Sequence, residues 1–392
     1  MLIGLVGKPN IGKSTFFKAA TLAEVEIANY PFATIEANHG VGYVKIECID
    51  KEFDKQCDPR EGFCIDHKRF VPIDLMDVAG LVPGASEGKG LGNQFLDDLR
   101  EADALIQVVD LSGNTDEEGK PTENYYPGKD IEFLEKELDM WYKNILKKTW
   151  KTFARKLEST KESFVQEVAE QFSGLKVKKE HIEKITREVD LDFENPTKWD
   201  EEEIYKFASS LRKESKPIII AANKSDTKKS QANLEKLKEE FNYKIIPCSA
   251  ESELALREAA KEDKIEYIPG EAKFEIRGDL NKKQEKALNF IQNNVLDVYG
   301  NTGVQNILNE VVFNLLQYIA VFPAGTKKLE DSEGNTLPDC YLMPPGSTAL
   351  DFAFKLHQDF GENFIKAIDV RTRKPVVKKY KLKHSDAIEI VT

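Results

Sequence analysis

The sequence predicts an α/β fold: a mixed, mostly parallel sheet, interrupted by a helical insertion and followed by a small α+β domain. Three observations predict it. Short apolar runs alternate with stretches of helical periodicity near the start of the chain and again from about residue 216. Residues 121–215 are rich in Glu, Lys and Leu at helical spacing. From about residue 318 the pattern changes to short strands and turns around one helix.

Taken in order, Leu2 to Val6 is an apolar run ending in Gly7, and Phe16, Phe17, Ala19 and Ala20 recur with helical spacing after Lys13. The chain therefore opens strand, loop, helix. Val41 to Ile46 and Phe70 to Met76 are strands separated by a polar, Cys-containing loop, and Ala104 to Asp110 (ALIQVVD) has the composition of a fully buried strand. The next apolar run, Pro217 to Ala222, comes only after a long gap. Helices at Asp130 to Leu157, Lys161 to Leu175 and Glu201 to Arg212 fill that gap as an inserted arm. A strand at Tyr243 to Pro247 follows, and helical segments Asn281 to Tyr299 and Val304 to Leu316 bridge to the tail. There a turn at Glu333 to Asn335 and a Pro-Pro-Gly-Ser lead into a helix at Ala349 to Asp359 precede three short strands. The expected division is 1–120 and 216–275 for the α/β domain, 121–215 for the arm, 276–317 for the bridge and 318–392 for the tail domain.

At 392 residues the chain has room for a catalytic domain and accessories. Hydrophobic residues at 41% and charged residues at 32% are a globular balance rather than a disordered or membrane one. No apolar run reaches spanning length, and MLIGLVGKPNIGKS lacks the sections of a signal peptide, so a cytoplasmic protein is expected. The net charge of −12 repels nucleic acid, so any RNA contact must come from local basic patches. Five cysteines make no disulfide framework. Cys48, Cys57 and Cys64 share a stretch with His67 but lack a closely spaced zinc-type pair, which favours ordinary thiols over a metal site.

Gly7-Lys8-Pro9-Asn10-Ile11-Gly12-Lys13-Ser14 fits G-x-x-x-x-G-K-[ST], continues into Thr15, and lies between a buried strand and a helix, where that motif must lie. Glycines let successive backbone N–H groups converge on phosphate oxygens, and the helix N-terminus favours the anion. Lys13 then reaches the β and γ phosphates, and the Ser14 hydroxyl binds Mg²⁺. Asp77, at the end of a strand, can hold the Mg²⁺ through water, and the Gly80 N–H can reach the γ-phosphate. Asn223-Lys224-Ser225-Asp226 follows another strand. A carboxylate at Asp226 accepts from guanine N1–H and the 2-amino group, whereas adenine presents an acceptor at N1 and no 2-amino group. Ser249 and Ala250 follow a third strand, and the Ala250 N–H can meet guanine O6. Each motif alone is weak, but their order and shared position at strand ends point to one GTP or GDP site.

These residues, together with NYPFATIEAN at Asn29 to Asn38 and DVAGLVPGASEGKGLGNQFL at Asp77 to Leu96, resemble an Obg-class P-loop GTPase, most closely of the YchF kind. The tail, from VFPAGTKKLEDSEGNTLPD to HSDAIEIV, resembles a TGS domain of β-grasp type. The resemblance implies a Ras-like GTPase fold and places Thr34 as the switch I hydroxyl on Mg²⁺, with Leu81 to Leu96 as switch II, where Gly84, Gly88, Gly90 and Gly92 give the loop freedom to order and disorder. Leu81 stands where many GTPases have a water-orienting glutamine and can neither donate nor accept. In related GTPases an asparagine at the position of Asn10 helps bind K⁺, which can offset charge developing in the transition state. The catalytic set expected is Lys13, Thr34, Gly80 and Asn10, with Mg²⁺ and K⁺ as ions and GTP preferred over ATP because the N-K-x-D signature is intact.

The resemblance also implies a ribosome or RNA partner, met through the arm and the TGS domain. In the arm, KNILKKTWKTFARK at Lys143 to Lys156 could meet RNA with aromatic support, although a wet basic face over buried Trp150 and Phe153 is the plainer reading. The tail carries a basic stripe of Arg371, Arg373, Lys374, Lys378, Lys379, Lys381 and Lys383, while His357 reads as structural. Two functions stand side by side: a GTPase whose hydrolysis to GDP and phosphate acts as a switch, and a nucleotide-gated RNA- or ribosome-binding module with negligible turnover.

Overall fold

The computed structural model describes residues 1–21, 39–78, 98–160, 163–331 and 333–392. Thr34, Gly80, Leu81 and the glycines of the expected switch II loop lie outside the described residues. In chain order the strands through residue 247 are β1 Leu2–Val6, β2 His39–Glu47, β3 Phe63–Ile65, β4 Lys68–Asp77, β5 Ala104–Asp110, β6 Ile218–Asn223 and β7 Lys244–Pro247. The chain divides into two compact units, one of residues 1–19, 37–40 and 74–307 and one of residues 20–36, 41–73 and 308–392.

In the first unit the order is β4-β1-β5-β6-β7, with every neighbouring pair parallel. β5 and β6 are buried along their whole length, as their predominantly apolar sequences require of a sheet covered on both faces. Parallel pairing sends all five carboxyl ends to one edge. Leu5 pairs with Asp77 and Asp110 with Asn223 there, so the sheet register itself gathers the residues of the candidate site.

The arm begins with a 33-residue helix, Gly128–Thr160, and continues through helices Phe164–Gln171, Lys179–Glu188 and Glu201–Ser215. The last of these starts cleanly because Asp200 accepts from the Glu202 and Glu203 amides at 2.9 Å while Glu203 reaches back to the Asp200 amide. Trp150 and Phe153 are buried. The Trp150 ring stacks on Trp199 at 4.9 Å, and its Nε1 donates to the Pro196 carbonyl at 3.2 Å. This corrects one reading of the arm: those aromatic faces are spent on the core and cannot stack on RNA bases. Lys148, Lys151 and Arg155 remain exposed, whereas Lys143 and Lys147 pair with Glu201 and Lys156 with Glu167.

Lys216, just beyond the arm, is buried and donates to the carbonyls of Arg100 and Ala102. Burial disfavours its charged form, with Lys176 adding repulsion, and brings its pKa from 10.5 to about 7. Between those two values the unfolded chain binds more protons than the folded one, so folding stability rises as pH increases across that window. Lys216→Met removes this titration, so its stability is expected to lack the rise between about pH 7 and 10.5 while the two carbonyls lose their donor at every pH, as read by urea unfolding at each pH.

Past the short hairpin of β8 (Ile265–Tyr267) and β9 (Phe274–Ile276), a helix at Lys282–Ile291 runs into a π-helical turn at Gln292–Leu296. Sequence periodicity predicted the helix but neither the hairpin nor the wider turn. In the second unit β10 (Ile319–Pro323), β11 (Tyr341–Met343), β12 (Lys366–Asp369), β13 (Pro375–Val376) and β14 (Asp386–Val391) form a sheet of order β11-β10-β14-β12-β13. Helix Ala349–Leu356 packs Ala349 and Phe352 into its core with Val321, Ala367 and Ile388. The predicted helix to Asp359 breaks at His357, which is extended and caps the next turn by accepting from the Asp359 amide at 3.2 Å, a structural task.

Candidate nucleotide-binding site

The loop between β1 and helix Lys13–Thr21 turns where only particular residues fit. Gly12 has φ +92°, and a Cβ there would stand 2.3 Å from the Asn223 amide nitrogen. Asn10 also has positive φ, +64°, which asparagine tolerates better than most residues. The first turn of the helix carries no acidic side chain of its own, which suits an anion at its N-terminus. The Lys13 ammonium pairs with the Asp77 carboxylate at the end of β4, and the Ser14 hydroxyl lies 3.4 Å from Asp77 Oδ2. A hydroxyl beside a carboxylate is an all-oxygen donor pair of the sort Mg²⁺ takes, so Ser14 and Asp77 fit that ion.

Asn223 fastens two loops together. Its amide nitrogen donates to the Ile11 carbonyl at 2.9 Å, and its amide oxygen accepts from the Ala250 N–H at 3.0 Å. Lys224, in the left-handed region at φ +60°, crosses over the phosphate loop, donating to the Asn10 carbonyl at 3.1 Å and to Asp110 Oδ2 at 2.8 Å. Backbone strain at such a residue persists only where its surroundings over-determine it, and here an ion pair does so. Asp226 is half-buried and accepts from the Ser249 hydroxyl at 2.9 Å on Oδ1; Ser249 in turn meets Ser252 at 2.8 Å. One carboxylate oxygen is thus positioned by protein, which orients the other.

Sequence reasoning missed Asp110. It is buried and takes Lys224, the Ser112 amide and hydroxyl, and the Thr115 hydroxyl. Burial alone would raise its pKa, but the Lys224 ammonium and these hydrogen bonds outweigh that and hold it below the usual carboxylate range. The available signal was its place as the last residue of a fully buried strand at the site's edge of the sheet.

Lys8 departs from expectation in a different way. Its side chain is buried and turned away from the loop's mouth, pairing with Asp130 at 2.8 Å, donating to the Thr115 carbonyl at 3.0 Å and lying 3.9 Å from the Tyr125 ring centre. Only its backbone remains for a phosphate, and its side chain ties the loop to the start of the arm's first helix. Asn10 donates to the Gly119 carbonyl at 3.0 Å, and its amide oxygen takes no bond among the described residues. Pro9 is exposed next to it, and Thr15 lies in the first turn of the helix.

Comparison with known proteins fits this geometry. Residues 2–148 match a family model described as a 50S ribosome-binding GTPase, residues 221–325 one described as Obg-like GTPase YGR210-like, G4 motif-containing domain, and residues 325–392 one described as a TGS domain. A GTP-binding protein of Methanocaldococcus jannaschii is 47% identical, with 100% of this chain and 99% of that protein covered. A ribosome-binding ATPase, YchF, of Buchnera aphidicola is 29% identical over 93% of this chain and 86% of its own length. The crystal structure of a GTP binding protein from Pyrococcus horikoshii OT3 superposes with a TM-score of 0.79 at 40% identity, covering 100% of both chains.

Proposed function

The chain belongs to the YchF-like family of Obg-class GTP-binding proteins with a C-terminal TGS domain, and from that premise we propose that it hydrolyses GTP to GDP and phosphate as a conformational switch on a ribosome or RNA partner. The observation that carries the reading is Asn223, whose one amide joins the phosphate loop to the segment that would read the base. With a single side chain bonding both, phosphate and guanine contacts are set at a fixed span.

In this reading backbone N–H groups of residues 7–15 other than Pro9 cradle the phosphates, and Lys13 turns from Asp77 to the β and γ oxygens. Ser14, Asp77 and Thr34 would hold Mg²⁺, which supplies charge neutralisation at the phosphates. Asp226 binds guanine N1–H and the 2-amino group, Ala250 meets O6, and Lys224 closes over the loop. Gly80 would donate to the γ-phosphate. Asn10 would take part in holding K⁺, and its amide oxygen is of the right kind for that cation. The Lys8–Asp130 ion pair gives the nucleotide loop a direct mechanical link to the arm. The names of the family model and of the Buchnera relative support a ribosomal partner, and the exposed lysines of the arm and tail support contact with phosphate-rich RNA. A ribosomal partner would place its action in the cytoplasm; among the described residues no helix is long and apolar enough to cross a membrane.

Leu81 in place of glutamine favours a second reading, a nucleotide-gated binding module with negligible turnover. Phosphate release from the full chain, with and without ribosomes and in KCl or NaCl, separates the two. The switch reading expects turnover that ribosomes raise at least about tenfold and that K⁺ supports better than Na⁺. Tight GTP binding with no ribosome effect selects the gated module, and equal rates in the two salts remove Asn10 from the catalytic set.

A further inference from the structure

The cysteines whose spacing gave no metal signature converge in space. Cys48 follows β2, Cys57 lies in the loop beyond it and Cys64 is on β3, yet their three Sγ atoms and a carboxylate oxygen of Asp50 all lie within 4.8 Å of one another. Cys48 Sγ is 3.5 Å from Cys57 Sγ, and Cys64 Sγ is 3.9 Å from Asp50 Oδ2. Zn–S bonds of about 2.3 Å in a tetrahedron set ligand edges near about 3.8 Å, so these donors already stand within about an ångström of such a cage.

A second observation is independent of that spacing. Arg69 is 1% exposed, and its recorded partners are the carbonyls of Leu337 at 3.1 Å and Pro338 at 2.8 Å and the Cys57 sulfur at 3.6 Å. Its Nε is buried with no partner among the described residues. A guanidinium stays charged, and a buried charge needs an opposite one nearby. Glu61 lies within Coulombic reach of Arg69, and three thiolates with a carboxylate outweigh a divalent ion and would bring further negative charge directly against the guanidinium, at the Cys57 sulfur it already meets. Asp50, fully buried, is also held as a ligand should be: His67 Nδ1 lies 2.9 Å from Oδ1, and the Cys57 amide donates to Oδ2 at 2.9 Å.

We propose that Cys48, Cys57, Cys64 and Asp50 bind one divalent cation of zinc type, with His67 and Arg69 as its outer partners. Thiolate-rich donors select zinc over Mg²⁺ or Ca²⁺. Binding displaces the thiol protons to solvent and leaves the metal's oxidation state unchanged. A Cys48–Cys57 disulfide would consume two of the four donors and is the competing outcome of the test. The loop gains what its composition lacks. Residues 48–62 hold one short 3-10 turn, and their backbone is tied to the segment before β11 by Asp58 N to Thr336 O at 2.8 Å and Arg60 N to Pro338 O at 3.0 Å. An ion at the loop's base would fix both ends of that docking.

The test is metal analysis of the full chain purified without chelator, in parallel with Cys57→Ser, Asp50→Asn and, as control, Cys340→Ser. About one zinc per chain is expected for parent and control, falling at least about tenfold in Cys57→Ser and several-fold in Asp50→Asn. Should Cys57→Ser fail to fold, Co²⁺ loading of the parent still decides, because thiolate ligation gives an intense sulfur-to-metal charge-transfer band. Less than about a tenth of an equivalent of metal after zinc supplementation, no such band, or a mapped Cys48–Cys57 disulfide would each overturn the proposal. All are read without nucleotide, so their failure leaves the GTP reading untouched.

Discussion

Replacing Asp226 with Asn is expected to weaken GTP binding about a thousandfold and to make xanthosine triphosphate the better ligand. Two hydrogen bonds from guanine to a carboxylate, each worth about 1.5–3 kcal/mol, amount to roughly 10²- to 10⁴-fold in affinity. An amide keeps an acceptor for one of them but sets an N–H against the guanine donor. Xanthine carries a carbonyl where guanine has its 2-amino group, and the new N–H can donate to it. The substitution should leave the fold intact, because Asp226 is half-buried and the Ser249 hydroxyl can donate to an amide oxygen as well as to Oδ1. Competition of GTP and xanthosine triphosphate against a fluorescent guanine nucleotide measures both effects. Unchanged GTP affinity would mean that another group reads the base.

Lys13→Ala is expected to lower kcat/KM for GTP by about 10³-fold, with unfolding little changed. Lys13 is the cation of the loop whose side chain lies beside Asp77 at the carboxyl edge of the sheet; Lys8 is already committed to Asp130 and cannot substitute. Removing it takes away charge that matters most as the γ-phosphoryl group departs. Single-turnover hydrolysis should therefore fall more than GTP affinity does. An equal fall in both would assign Lys13 to ground-state binding alone. A large drop in melting temperature would instead mark the Lys13–Asp77 pair as structural.

The parts of this molecule that could be read directly were those set by local pattern. Mostly apolar runs such as Ala104 to Asp110 announce strands covered on both faces, and the motifs that follow them lie on one sheet edge because parallel strands must end there. What stayed hidden depends on chain closure over distance. Lys8 occupies a variable position of its motif, and nothing local says that its ammonium will find Asp130, 122 residues on. Asp110 looked like the end of a strand until Lys224 was seen against it. Trp150 could be placed on a helix but not on a face, since Trp199, on which it stacks, comes from a distant loop. The thiols at 48, 57 and 64 lacked a zinc spacing because the turn between β2 and β3, rather than a tight knuckle, brings them together.

Calorimetric titration of GTP and ATP into the full chain with Mg²⁺ reaches furthest into this account. One site per chain for GTP, and at least about a hundredfold weaker uptake of ATP, is the predicted result. Equal uptake of the two nucleotides would contradict the assignment of Asp226 and its neighbours to the base, and no guanine nucleotide uptake would contradict the site as a whole.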